Sequence, residues 1–224
     1  LMIMAIGPKL KWIKSNLEDK IYLISLLVVS ILLSILIVKN FSSNFLINSI
    51  LISSAFYLFF ITLRDFFIKG FKNLAQNTAH FGFSLLILSI LFNNLFSTET
   101  ITNLKVGETF ENTKSKIVFE NISQKEEKNY KSIIAKFIIQ DSKGKIENLS
   151  PELRIYNQPN IVTSEADIKT TLLSDKFIVI NVVQNQEFFN VRYQVKPFML
   201  WIWISVILIS VGGLISFLKK KYEK

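Results

Sequence analysis

Four long uncharged stretches constrain this chain more than any other feature. Ile21 to Val38 contains no charged residue, and none occurs between Lys39 and Arg64, where Phe45 to Leu63 is the apolar part. Ala79 to Phe96 and Pro197 to Leu218 are two further blocks of this kind. A helix needs about 20 residues to cross the hydrocarbon core of a bilayer. Lipid offers no partners for backbone N–H and C=O groups, so each such block must become a helix. A soluble core is also the wrong destination for a 224-residue sequence that is 50% hydrophobic with 20 Phe. The expected fold class is therefore an α-helical integral membrane protein with four transmembrane helices. A six-residue apolar stub, Leu1 to Ile6, precedes them and reads as the last turns of a helix begun upstream. The opening Leu in place of Met adds to the expectation that these residues continue a longer chain. The stub is not a signal peptide, because its basic residues follow the apolar run instead of preceding it.

Lys and Arg retained in short loops mark the cytoplasmic side of a membrane protein. Lys9, Lys11, Lys14 and Lys20 precede the first long block, Arg64, Lys69 and Lys72 follow the second, and Lys219, Lys220, Lys221 and Lys224 follow the last. If the four helices alternate, all three groups share one face. These stretches hold eleven basic against four acidic residues, whereas residues 97–196 hold fourteen against thirteen. The formal charge of +9 is thus a topology signal. A nucleic-acid binder would concentrate its basic residues on the folded domain, so nucleic acid is excluded as a partner. The expected organisation is a loop at 1–20 and three helices within 21–96 (about 21–38, 45–63 and 79–96). An extracytoplasmic domain at 97–196, a last helix at 197–218 and a cytoplasmic tail at 219–224 follow.

The outward segment reads as β-rich. Val118 to Ile122, Ser132 to Gln140, Phe177 to Val183 and Phe189 to Val195 are enriched in β-branched and aromatic residues, and Asp141-Ser142-Lys143-Gly144 is a turn signal. These features predict a small antiparallel sheet or barrel. From Ser164 to Ser174 the pattern differs. Ser164 can cap a helix and Asp167 stands three residues on, which predicts a short helix there. No cysteine occurs, so the domain has no disulfide and any thiol chemistry belongs to partners.

His80 is the one histidine, at the start of the third membrane block in Asn77-Thr78-Ala79-His80-Phe81-Gly82-Phe83. An ionisable side chain inside the membrane needs a partner and is a functional-site candidate. An iron ligand, a proton relay and a histidine hydrogen-bonded to a neighbouring helix all remain open on the residues alone. Thr78 and Gly82, four apart, would admit a close helix or a flat cofactor, and Gly212 and Gly213, deep in the last helix, read as helix packing. Trp201 and Trp203 suit an interfacial aromatic belt. Glu165, Asp167 and Asp175 lack a defined catalytic partner and read as solvated surface. No phosphate loop, nucleophile elbow or metal-ligand spacing is present. The helices show no internal repeat of the kind expected of a transporter half.

Taken in order, these motifs resemble the C-terminal third of the CcmF family. The residues that carry the resemblance are Gly7-Pro8-Lys9-Leu10-Lys11-Trp12, Ala79-His80-Phe81-Gly82, Pro151-Glu152-Leu153-Arg154-Ile155-Tyr156 and Ser164-Glu165-Ala166-Asp167-Ile168. They continue through Asp175, Tyr193, Lys196-Pro197, Trp201-Ile202-Trp203 and Gly212-Gly213. Ser164 and Ser205 depart from the family pattern of Thr and Gly. The resemblance implies a component of a cytochrome c haem lyase, which attaches haem covalently to cytochromes c outside the cytoplasm. It implies as partners a haem chaperone of the CcmE type, a CcmH-type thiol subunit, apocytochrome c and membrane lipid. It also implies a b-type haem held in the membrane between two histidines, the second matching His80 as an axial iron ligand, with neutral imidazole as the ligating form. The other histidine and a Trp-rich haem-contacting loop are expected upstream, so these residues alone are not expected to catalyse. The implied location is a bacterial inner membrane with the β domain in the periplasm, or a mitochondrial inner membrane. The contrasting expectation is a non-enzymatic assembly subunit whose β domain docks partners.

Overall fold

The computed structural model describes residues 1–6, 17–41, 44–69, 73–112, 115–142, 144–183 and 187–222. The Gly7 to Trp12 motif and Lys14, Lys72, Lys143 and Lys224 lie outside the described residues. The chain divides into a helical unit, 1–96 with 198–224, and a β unit, 97–197.

The helical unit consists of α1 (Met2–Ile6), α2 (Leu17–Phe41), α3 (Phe45–Lys69), α4 (Leu74–Phe96) and α5 (Met199–Tyr222). Four of these are long and apolar enough to span a membrane, with windows at Ile21–Lys39, Phe45–Ile68, Leu74–Phe96 and Met199–Lys219. Their packing is aromatic between α3 and α4, where Phe81 meets Phe59 at 5.3 Å and Phe66 at 5.6 Å, and Phe56 meets Phe92 at 5.8 Å. Tyr57, Leu58 and Ile61 of α3 form a buried cluster against Leu1, Met2 and Met4, Leu23, Leu26 and Leu27 of α2, and Phe83 of α4. Several hydroxyls inside the bundle donate back to carbonyls of their own helix: Ser54 to Ile50 O (2.6 Å), Thr62 to Leu58 O (2.9 Å) and Thr78 to Leu74 O (2.8 Å). Each is thereby satisfied without water.

Between α4 and α5 the packing depends on small residues. A Cβ at Gly212 would lie 2.7 Å from Ala79 N and 2.8 Å from Ala75 O, whereas Gly213 has nothing within 4 Å. Gly82 faces Ile209 and Leu208 of α5, each with an atom 3.0 Å from where its Cβ would be. Phe198 precedes α5 in the left-handed region (φ 61), its carbonyl accepts from Trp201 N and Ile202 N, and its ring meets Phe92 of α4 at 5.5 Å. Pro197 thus ends a strand and does not open the last helix.

The β unit is a two-sheet antiparallel assembly. One sheet has the order β1 (Thr98–Leu104), β10 (Phe189–Pro197), β9 (Ser174–Val182), β8 (Asp167–Thr170). The other has the order β2 (Thr109–Glu111), β3 (Ser115–Glu126), β4 (Tyr130–Asp141), β6 (Glu152–Tyr156), β7 (Ile161–Glu165), with β5 (Ile146–Leu149) also paired to β4. Alternate residues point inward, as a half-buried strand requires: Ile117 and Phe119, Ala135, Phe137 and Ile139, Ile178 and Ile180, and Val191 and Tyr193 form one core. Phe119 stacks on Phe137 at 4.5 Å and meets Phe189 of the other sheet edge-on at 5.8 Å. Gly144 takes φ 78 in the turn after β4, where its N–H donates to Asp141 O.

The short helix expected after Ser164 is not formed, because this stretch holds β7 and β8. Ser164 Oγ donates to Asn181 Oδ1, and Asp167 Oδ2 accepts the Ser150 N–H at 2.6 Å. The β-branched residues Ile161, Val162, Thr163 and Ile168 gain ladders with β6 and β9. Such pairing outweighs a cap with no helix packing behind it.

Candidate functional site

α4 begins with polar residues and becomes apolar after Phe81, so its first turns carry the chemistry of the helical unit. Asn73 takes φ 60, a conformation Asn tolerates better than most residues, and its carbonyl accepts the Asn77 N–H at 2.9 Å. Leu74 to Phe96 then continues as helix, which sets Asn77 and His80 three residues apart on neighbouring positions of one face. Asn77 is buried at 7% exposure, and its Nδ2 has no hydrogen-bond partner. His80 is half-buried. Among the described residues no hydrogen bond reaches its ring.

α3 ends beside this turn. Asp65 is buried and lies within electrostatic reach of His80. The flanking Arg64 turns instead to α2, with its guanidinium 4.0 Å from the centre of the Tyr22 ring. Phe81, clamped between Phe59 and Phe66, fixes the rotation of α4 and hence the direction of the residue before it. On another face of α4, Ala75 and Ala79 receive Gly212. The α4 start is thus held from two sides while His80 keeps a ring nitrogen without a protein partner. A neutral imidazole can give one nitrogen to a metal while the other is oriented by a nearby carboxylate. That donor chemistry fits a haem iron ligand. The described residues contain no cluster of three or more His, Asp or Glu suited to a bare metal ion.

Other residues singled out in the sequence occupy structural positions. Gly82 and Gly212 set the α4–α5 approach, whereas Gly213 faces open space. Thr78 is buried and bonded within its own helix. Trp203 is 63% exposed, as a lipid-facing interfacial residue should be. Ser205 is fully buried and donates to Trp201 O at 2.5 Å. The three acids do not converge on a site. Glu165 accepts from Thr163 Oγ1, Asp167 from Ser150, and Asp175 has a buried Oδ1, so the reading of a solvated surface fails for Asp175. Arg154 pairs with Glu152 at 3.1 Å and lies over Tyr130, whose ring meets Tyr156 at 5.3 Å, so the Pro151 to Tyr156 motif braces β6 on β4.

Two participants escaped sequence reasoning. Asp65 directly follows the second apolar block beside Arg64 and so reads as a loop charge, yet an acid followed by Phe66-Phe67-Ile68 is still on an apolar helix. Glu147 is the other: its side chain is 5% exposed between Lys145 Nζ at 2.7 Å and Lys176 Nζ at 2.8 Å. The hydrogen bonds from Lys145 and Lys176 hold its carboxyl below the usual carboxylate range.

Comparison with known proteins gives one consistent result. Residues 95–197 match the family model described as the CcmF C-terminal beta-sandwich. The chain is 25% identical to the cytochrome c-type biogenesis protein CcmF of Haemophilus influenzae, over 72% of this chain and 26% of that protein. It is 22% identical to the protein of the same name from Escherichia coli, over 100% of this chain and 36% of that one. Among solved structures it superposes on the cytochrome c haem lyase CcmF with a TM-score of 0.67 and 20% identity, covering 95% of this chain and 37% of the other. The chain therefore spans about a quarter to a third of the length of these relatives.

Proposed function

From a chain that matches the C-terminal part of the CcmF family in its β-sandwich and in its helices, we propose that it serves as the C-terminal part of a cytochrome c haem lyase component. In this reading it helps move haem from a CcmE-type chaperone to apocytochrome c. A CcmH-type subunit supplies the thiol chemistry that a cysteine-free chain lacks. His80 would hold the iron of a b-type haem in the membrane, together with a second ligand from a part of the protein outside these residues. The β domain lies in the periplasm and the tail in the cytoplasm, as the distribution of Lys and Arg supports.

The observation that carries the reading is the half-buried His80 ring without a hydrogen bond among the described residues, one turn from the unpartnered Asn77 amide and within electrostatic reach of Asp65. Bound haem would supply the redox-active iron. The residues of this chain position it. His80 offers a ring nitrogen, Asp65 provides the negative charge that can orient the opposite N–H, and Phe59, Phe66 and Phe81 exclude water beside them. The buried Asn77 amide adds an unused donor one turn away.

The test is optical absorption of purified full-length protein. A Soret band with sharp reduced-state bands is expected. Protein that matures cytochrome c in cells yet purifies without haem, even when haem is supplied, would favour an assembly subunit that only docks partners.

A further inference from the structure

We infer that the groove between the start of α4 and the end of α5 binds an anionic phospholipid, with an acyl chain along its apolar floor and the phosphate at its basic end. Gly212 brings α5 against Ala75 and Ala79 so closely that no side chain fits between them. Beyond that contact the α4 wall stays shallow, because its residues are still those alanines, while α5 runs on to Tyr222. A cavity of about 690 Å³ lies between the two helices. That is within the range of roughly 300–1,000 Å³ usual for small-molecule sites.

Polarity changes along the groove as it does across a membrane leaflet. Ala75, Ala79 and Ile215 line its apolar part, and Gln76, Ser216 and Lys219 its polar part. Lys219 lies roughly 10 Å beyond Gly212 along the helix. It is the first charged residue after the uncharged Pro197 to Leu218, and Lys220 and Lys221 follow it in the sequence. On the other wall α4 contains no Asp or Glu, and its first turn presents the positive end of the helix dipole. Both helices are long and apolar enough to span a membrane. A basic end on an apolar floor between two such helices suits the headgroup and chain of an anionic lipid. A free phosphate would leave the floor uncovered, and a further helix would have to bring an acid to the lysine end, which is costly at membrane depth. The reading is independent of what His80 binds.

The test follows the melting temperature of delipidated full-length protein in detergent as phosphatidylglycerol, phosphatidylcholine with the same chains, or inorganic phosphate is added. Native mass spectrometry counts the lipid retained. Ser216→Trp fills the groove from an exposed position, and Phe217→Trp, at a residue 69% exposed and outside the lining, is the comparison. Phosphatidylglycerol should raise the melting temperature of wild type and Phe217→Trp by several degrees more than phosphatidylcholine does, and phosphate should have no effect. Ser216→Trp should lose that difference and retain severalfold less phosphatidylglycerol. An undiminished phosphatidylglycerol preference in Ser216→Trp overturns the inference, as does an equal effect of both lipids, or of phosphate, on wild type. A delipidated Ser216→Trp that melts well below delipidated Phe217→Trp also overturns it, since protein would then fill the groove.

Discussion

Glu147 and Gly212 show how much a single side chain, or its absence, decides in this molecule. Glu147 is held by two lysines that are not equivalent, since the Lys145 side chain is 61% exposed and the Lys176 side chain 15% exposed. Lys176→Met should destabilise the β domain by about 1–3 kcal/mol because a buried carboxylate loses a charged donor, whereas Lys145→Met should cost well under about 1 kcal/mol. The pH dependence has a fixed sign. The folded Glu147 carboxyl titrates below its ordinary value of 4.5, so its contribution is present above that pH and fades as pH falls through the folded value. Thermal unfolding of the full-length protein between neutral pH and the acid side of 4.5 should show this loss, and Glu147→Gln should flatten it. The two adjacent glycines of α5 give a sharper contrast. Gly212→Leu forces a side chain onto the backbone of Ala75 and Ala79 and should lower stability by about 1–3 kcal/mol. Gly213→Leu meets nothing and should leave the melting temperature in detergent unchanged. The sequence identifies both glycines as packing candidates but cannot say which faces α4, since that depends on helix rotation.

At the scale of elements, legibility followed the strength of the local pattern. The four membrane helices are readable because lipid leaves an uncharged run of that length few alternatives. The central strands β3, β4, β9 and β10 are readable because each is rich in β-branched and aromatic residues. The other strands among the described residues are shorter and of mixed composition, so their ladder partners decide them. β1 contains Thr98-Glu99-Thr100 and β8 contains Asp167 and Lys169, compositions that fit a loop equally well. Ser164 and Asp167 illustrate the failure: a capping signal is local, while pairing of β7 with β6 and of β8 with β9 is tertiary.

For the molecule as a whole, the candidate site was half visible. His80 stands out as the one histidine of the chain, on a helix whose length marks it as membrane-spanning. Asp65 joins it only when α3 packs on α4, whereas Asn77 lies one turn before His80 on the same helix and stands out only through its burial and its unpartnered amide. The central claim is that this cluster holds a haem iron through His80. The reduced-minus-oxidised absorption spectrum of full-length wild type and His80→Ala, at equal protein concentration, tests it most directly. The account predicts that His80→Ala inserts and folds normally, since one truncated side chain removes little packing, but loses most of its b-type haem signal. His80→Gly should regain part of that signal with added imidazole. An unchanged spectrum in His80→Ala, with unchanged cytochrome c maturation, would contradict the account.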